Sequence, residues 1–157
     1  MQRTARDIMQ TSVLTVGPET ALSDVQRLFV EESIGGAPVV DETGRVVGVI
    51  TGADLLRAVD EERDTAVAEP RYFRDTLEFS GPDWRHEVED FQDRLAELRV
   101  EDAMTEGIVS VDPDTPVSDV AASMRKNRVH RVLVLEKGVL VGLISTFDLV
   151  ALLEQER

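Results

Sequence analysis

The sequence predicts an α/β protein in which two β-α-β-β-α units pack as a pseudo-symmetric pair, with one extra helix between them. Three observations predict this fold: a long internal repeat, the same order of predicted strands and helices in both copies, and an apolar helical stripe in the intervening segment. The repeat boundaries divide the chain into a first repeat at residues 1–59, an acidic insert at 60–99 and a second repeat at 100–157.

The internal repeat consists of matching segments at a nearly constant spacing. Residues 7–9 read Asp-Ile-Met and residues 102–104 read Asp-Ala-Met. The further matches are 16–20 with 111–115, 23–25 with 118–120 and, after a one-residue deletion in the second turn, 47–51 with 141–145 and 54–55 with 148–149. Agreement over this length, with a single gap placed in a turn, indicates that one folding unit occurs twice.

Each copy opens with a short β-rich run, at residues 13–16 and 108–111, and continues into a helix. Thr20 and Thr115 stand where a helix N-cap belongs, and Pro116 suits the first helical position. Apolar residues then recur on one helical face, as Leu22, Val25 and Phe29 in the first copy and Val117, Val120 and Met124 in the second.

A β-hairpin and a closing helix complete each copy. The glycine in each predicted turn supplies the positive φ that short hairpin loops require. The strands and turns are predicted at 37–40, 41–44 and 46–50 in the first copy, and at 132–135, 136–138 and 139–144 in the second. The closing helices are apolar, with Leu55, Leu56 and Val59 in the first and Phe147, Leu149, Val150, Leu152 and Leu153 in the second.

The insert contains more than a linker. It opens with a charged stretch at residues 60–64, but in its second half apolar residues fall on one helical face: Val88, Phe91, Leu95 and Leu98. We therefore predict an amphipathic helix docked on the repeats.

Composition excludes several classes of function. The formal charge of −14 argues against a nucleic-acid partner, because binding to nucleic acid draws on Lys and Arg that neutralise phosphates. The absence of cysteine excludes disulfides, thiol nucleophiles and cysteine-ligated zinc. His86 and His130 are the only histidines, so no metal site is expected. No apolar run approaches the roughly 20 residues of a membrane helix, and we expect a cytoplasmic protein without a membrane partner.

The sharpest local motif is Gly-apolar-apolar-[Ser/Thr]-x-x-Asp, which occurs at residues 48–54 and again at 142–148, each time where a predicted strand meets a helix. One interpretation is helix capping, in which the hydroxyl and the acid satisfy the first turn. The other is ligand binding, because a helix N-terminus with a hydroxyl suits a phosphate and the acid can accept both hydroxyls of a ribose.

A basic cluster forms the second candidate element. The cations of residues 125–128 fit the end of a helix, where the helix dipole favours positive charge. His130 and Arg131 fit that interpretation less well, because they directly precede a predicted strand. We interpret this pair as an anion-binding element facing a groove.

Together these features resemble the tandem CBS-domain family, in the stand-alone type with residues inserted between the repeats. The resemblance covers most of the chain and implies clefts between the repeats that bind AMP, ADP, ATP or S-adenosylmethionine as a regulatory ligand. The carried-over roles are phosphate or ribose contact for Thr51 and Ser145, ribose binding for Asp54 and Asp148, and phosphate binding for His130 and Arg131. The first copy has Gly35 and Gly36 where the second has His130 and Arg131, so the clefts are not expected to be equivalent.

The resemblance leads us to expect a sensor that is not an enzyme, needs no cofactor and passes ligand binding on to an unidentified protein target. An adaptor with empty clefts is the alternative. The apolar closing helix of the second copy further predicts a homodimer, because an exposed apolar patch usually marks an interface. Against the dimer stands the possibility that the insert helix covers that patch within one chain.

Overall fold

A computed structural model describes residues 2–60 and 88–156, and the side chains of residues 91–156 in the second segment. The predicted fold is confirmed: two α/β repeats follow one another, and an additional helix precedes the second. The helices are α1 Ala5–Ile8, α2 Leu22–Glu31, α3 Gly52–Val59, α4 Val88–Glu97, α5 Val100–Ala103, α6 Val117–Asn127 and α7 Thr146–Gln155. The strands are β1 Gly36–Val40, β2 Val46–Thr51, β3 Ser110–Val111, β4 Arg131–Glu136 and β5 Val139–Ser145.

The opening strands are shorter than the sequence predicts. In the first copy only Val16 pairs with β1, through a parallel bridge to Val39, whereas in the second copy Ser110 and Val111 form β3 beside β4. Pro38 explains the difference, because it has no N–H to extend the ladder towards Leu14. Leu133, at the matching position of the second copy, donates its N–H to the carbonyl oxygen of Val109 at 3.0 Å.

The predicted helix caps are wrong by one residue. The α2 helix follows Ala21 and the α6 helix follows Pro116, so neither Thr20 nor Thr115 is the N-cap and Pro116 lies just outside its helix. The Thr115 hydroxyl instead accepts the N–H of Asp112 at 3.1 Å and closes the preceding turn. Short polar side chains often bond to their neighbouring backbone in this way.

The hairpins form as predicted and meet at their turns. Gly44 has a φ of +83°, and Lys137 and Gly138 both have positive φ, as a two-residue hairpin turn requires. The first residue after each turn, Arg45 and Val139, pairs with the other in an antiparallel bridge. These two residues occupy matching positions, so the pseudo-twofold axis of the repeats passes between the hairpins.

Each repeat completes the core of the other with its opening helix. The N–H of Ala5 in α1 donates to Thr115 O at 2.8 Å in the second repeat, and the N–H of Val100 in α5 donates to Thr20 O at 2.9 Å in the first. Ala5 and Val100 are both fully buried, each within the core of the repeat it contacts. Each core is therefore completed by a residue from the other repeat.

The insert helix α4 packs on the first repeat, which confirms the predicted docked helix. Leu95 is fully buried in the core that also contains Leu22, Phe29 and Leu55, and Phe91 and Leu98 pack against its edge. The side chain of Val88, predicted on the same face, lies outside the described side chains. The first repeat thus has a helical cover contributed by the insert.

Candidate functional site

The two candidate motifs lie at equivalent corners of the fold, where the second strand of each hairpin turns into the closing helix. We call the corner between β2 and α3 the first junction and the corner between β5 and α7 the second junction. In each, the acid at the third helical position accepts the backbone N–H of the preceding Thr51 or Ser145. The capping interpretation of both motifs is therefore confirmed, and the ligand interpretation depends on what else surrounds each acid.

At the first junction the carboxylate of Asp54 is buried and accepts four side-chain and backbone hydrogen bonds. Its Oδ2 accepts from the backbone N and the hydroxyl of Thr51 at 2.9 and 3.0 Å. Its Oδ1 accepts from Arg57 Nη2 at 2.6 Å and from the Thr105 hydroxyl at 3.3 Å. Asp54 is only 3% exposed. Both carboxylate oxygens are thus engaged inside the protein.

Burial also perturbs the titration of Asp54. Loss of solvation raises the pKa of this carboxyl above its usual value, while the hydrogen bonds from Thr51 and Thr105 and the charge of Arg57 act in the opposite direction. An ionised buried carboxylate is costly unless it is paired, and Arg57 supplies that pairing. The Asp54–Arg57 pair is therefore a part of the folded framework.

At the second junction the corresponding carboxylate is less enclosed. Asp148 Oδ2 accepts from the backbone N and the hydroxyl of Ser145 at 2.7 and 3.1 Å, and Oδ1 accepts from Gln10 Nε2 at 3.1 Å. Asp148 and Ser145 are both partly exposed. The position matching Arg57 is Ala151, so the helix that carries Asp148 offers no guanidinium there.

The basic pair predicted from sequence adjoins the second junction. Arg131 lies directly opposite Ser145 in the β4–β5 pairing, and such opposed residues point to the same face of a sheet. The backbone carbonyl of His130 accepts the N–H and the hydroxyl of Thr146, at 2.9 and 3.1 Å, which fixes the start of β4 against the start of α7. The side chain of His130 is exposed.

The sequence analysis missed three residues of these corners. Arg57 was foreseeable, since it follows Asp54 by three residues on one helix and such pairs are neighbours. Gln10 and Thr105 were not singled out, although they occupy matching positions after the Asp-x-Met segments. Each reaches the acid of the opposite repeat from the end of an opening helix, so each corner is built from both repeats.

The segments that open the two repeats, residues 4–9 and 99–104, are each fixed by contacts of one aspartate and one methionine within the segment. Asp7 and Asp102 each accept the N–H at the start of their short helix. Met9 then packs over Gly142, and Met104 packs over Gly48. A Cβ at Gly142 would collide with Met9, and a Cβ at Gly48 would collide with the backbone carbonyl oxygen of Thr105, which explains why glycine opens both junction motifs.

Comparison with known protein families agrees with this architecture. The family model for the CBS domain matches the chain twice, at residues 5–61 and 100–155. The chain belongs to the CBS-domain family. The two matched segments correspond to the two repeats of the fold, and the insert of this CBS pair lies between them.

Relatives of this CBS pair match it over most of its length. An uncharacterised protein of Methanocaldococcus jannaschii, MJ1426, is 29% identical over 92% of this chain and 88% of its own length. The CBS domain of a CBS domain-containing membrane protein from Sphaerobacter thermophilus is 32% identical, covers 96% of this chain and 88% of its own, and superposes with a TM-score of 0.69. The structure of CBSX2 in complex with AMP is 25% identical over 98% of both chains, with a TM-score of 0.67.

The closing helices of the CBS pair differ in exposure. No residue of α3 is exposed, because α2 and α4 pack beside it, whereas along α7 the side chains of Phe147, Val150 and Leu153 are 80%, 48% and 68% exposed. These three residues lie along one side of α7, and we call them the α7 patch. In residues 2–60 and 88–156 no helix is long and apolar enough to span a bilayer.

Proposed function

We propose that this CBS pair is a non-catalytic regulatory module that binds an adenosyl ligand, which is AMP, ADP, ATP or S-adenosylmethionine. The observation that carries the proposal is the second junction, where one corner combines a partly exposed carboxylate, a hydroxyl at a helix start, and the neighbouring residues His130 and Arg131. The AMP complex of CBSX2, a relative over nearly the whole chain, supports the choice of ligand class.

The chemistry of the second junction suits the parts of such a ligand. The ribose hydroxyls would donate to Asp148, and Oδ1 becomes available if the Gln10 amide turns away. A phosphate would accept from Arg131, His130 and the first turn of α7, a helix of ten residues whose N-terminus favours anions. For S-adenosylmethionine the ribose contacts are the same and the charged tail would take the phosphate position.

Regulation would follow from the residue that the ligand displaces. Gln10 ends the opening segment of the first repeat, yet its amide bonds to Asp148 of the second repeat. Its backbone also pairs with Leu143, donating at 2.8 Å and accepting at 2.9 Å. A ribose on Asp148 removes the side-chain bond and favours a different packing of the two repeats, which a partner protein could recognise.

A thermal-shift panel with the four ligands tests the proposal. A ligand at a hundred times its dissociation constant should stabilise the fold by about 2.7 kcal/mol. An unchanged melting temperature with every ligand at millimolar concentration would contradict the proposal and favour the adaptor with empty clefts.

The Asp148→Ala variant separates binding from capping. Hydrogen bonds to a charged group contribute roughly 1.5–3 kcal/mol each, so losing the ribose contacts should weaken ligand affinity at least about tenfold. A purely capping role instead predicts a stability loss of about 1 kcal/mol with unchanged affinity. Denaturant unfolding and calorimetric titration of the same variant provide both quantities.

We further propose that the chain forms a homodimer through the α7 patch. The insert helix α4 packs on the first repeat, and Phe147, Val150 and Leu153 remain exposed on the second. Such an apolar surface is typical of an interface. Size exclusion with light scattering at micromolar concentration, in low and high salt, should give the mass of two chains, and a single-chain mass in both would contradict the dimer.

A further inference from the structure

We infer that the ligand occupies one junction per chain, the second, and that the first junction is closed by the protein's own Arg57. This inference rests on the proposed function, since it concerns which of the two corners takes the ligand. The prediction from sequence gave both Asp54 and Asp148 a ribose-binding role, and the surroundings of the two acids differ in three ways.

The first difference is the partner of the carboxylate oxygen that a ribose would need. Asp54 Oδ1 is held by a guanidinium at 2.6 Å and by the Thr105 hydroxyl, whereas Asp148 Oδ1 is held by the neutral amide of Gln10. Neutral ribose hydroxyls can replace an amide on equal terms. They cannot replace the charge of Arg57, and expelling it would leave an unpaired buried carboxylate.

The second difference is access. Asp54 and Thr51 are 3% and 4% exposed, so a ligand could reach the acid only by moving the residues that cover it. Ser145 and Asp148 are partly exposed, and Thr146 between them is exposed. The second junction can therefore accept a ligand with a side-chain rotation, and the first requires a rearrangement of the core.

The third difference is which residues stand where the start of the first hairpin strand meets the junction. Gly36 faces Thr51 in the β1–β2 pairing at the place where Arg131 faces Ser145 in the β4–β5 pairing. The residue before it is Gly35, whose carbonyl accepts the N–H of Gly52 at 3.1 Å. The guanidinium of Arg57, on the helix that leaves this corner, is engaged by Asp54. The first junction thus has two glycines at the positions where the second has His130 and Arg131.

Calorimetric titration of the full chain with AMP, ADP, ATP and S-adenosylmethionine in turn measures the occupancy directly. We expect one equivalent of bound ligand per chain. Asp148→Asn should weaken binding at least tenfold, as should His130→Ala, whose exposed side chain can be removed without disturbing the fold. Thr105→Val, which removes a hydroxyl contact to Asp54 at nearly constant shape, should leave the dissociation constant within twofold.

The outcomes distinguish the inference from the proposed function. Two equivalents per chain would overturn the one-junction inference and leave the adenosyl-ligand function intact. One equivalent that resists Asp148→Asn and His130→Ala but is lost with Thr105→Val would place the ligand in the first junction and equally overturn the inference. No binding of any ligand to the wild-type chain would contradict the proposed function, and the inference would fall with it.

Discussion

The first and second repeats have the same order of helices and strands, but they differ in what covers the closing helix and in what bonds to the acid at its start. In the first, the insert helix places Leu95 in the core and Arg57 pairs with the buried Asp54. In the second, Phe147, Val150 and Leu153 of α7 remain exposed, and Asp148 accepts hydrogen bonds from the neutral groups of Ser145 and Gln10. The first repeat is thus covered by the insert helix and its acid is paired, whereas the second keeps an exposed apolar patch and a partly exposed acid.

This difference shows how one local motif can serve two purposes. The Ser/Thr-x-x-Asp segment caps a helix in both repeats, with the same bonds from the hydroxyl residue to Oδ2 of the acid. What changes is the partner of Oδ1, which is Arg57 in one and Gln10 in the other. Capping therefore leaves Oδ1 to bond with the surrounding residues, and under the proposed function this is the oxygen for which a ligand would compete with Gln10.

The largest effect is expected from a change that weakens the packing of α4 on the first repeat. Leu95→Ala should lower the free energy of unfolding by about 2–5 kcal/mol, because it leaves a cavity at a fully buried site. In the single-chain state Leu153→Ala, the matched change on the 68% exposed side chain of α7, should cost less than about 0.5 kcal/mol. Urea unfolding at a protein concentration where both variants are single chains compares the two losses, and equal losses would contradict the difference between α4 and α7.

A charged residue introduced into the α7 patch tests whether this patch forms the dimer interface. Val150→Glu should convert the dimer to a single chain in light scattering. Val150 lies between Phe147 and Leu153, so the carboxylate of the introduced glutamate would be desolvated in the interface. Val30→Glu is the control, since Val30 is 73% exposed on α2 of the first repeat. If both variants keep the dimer mass, the interface lies elsewhere.

The glycines that open the motifs should differ in their tolerance of a methyl group. A Cβ at Gly48 would lie 2.8 Å from the backbone carbonyl oxygen of Thr105. At Gly142 its two shorter contacts, at 2.6 and 2.8 Å, are with Sδ and Cγ of Met9, which can rotate away, and the third, at 2.9 Å, is with Met9 Cβ, which cannot. We expect Gly48→Ala to cost about 1–3 kcal/mol and Gly142→Ala less. Denaturant unfolding of both variants measures the order, and a larger loss at Gly142 would contradict it.

The smallest expected effect is a pH dependence carried by Asp54. Because burial raises its pKa in the folded protein, the folded state holds this proton to a higher pH than the unfolded chain does. The stability of the wild type relative to Asp54→Asn should therefore be greatest below the unfolded pKa near 3.8 and fall as pH rises through the folded value. Unfolding of both proteins from pH 3.5 to 7 measures this difference, and a relative stability that rises with pH would reverse the sign.

Much of this fold follows from local sequence. The repeats, the glycine turns and the docked insert helix were predictable because each depends on residues near one another in the chain. Pro38 would also have predicted the shortened opening strand. The packing of α1 on the second repeat and of α5 on the first was not predictable. The two segments have matching sequences, so the sequence does not show which repeat each one contacts. The division at residues 59/60 and 99/100 and the ligand roles of the six candidate residues stay predictions.

The most direct test of unequal junctions is a crystal structure of the chain grown with AMP. We expect one nucleotide per chain, with its ribose hydroxyls on Asp148, its phosphate near His130 and Arg131, and Arg57 still bonded to Asp54. A nucleotide whose ribose lies on Asp54, with Arg57 displaced, would contradict it.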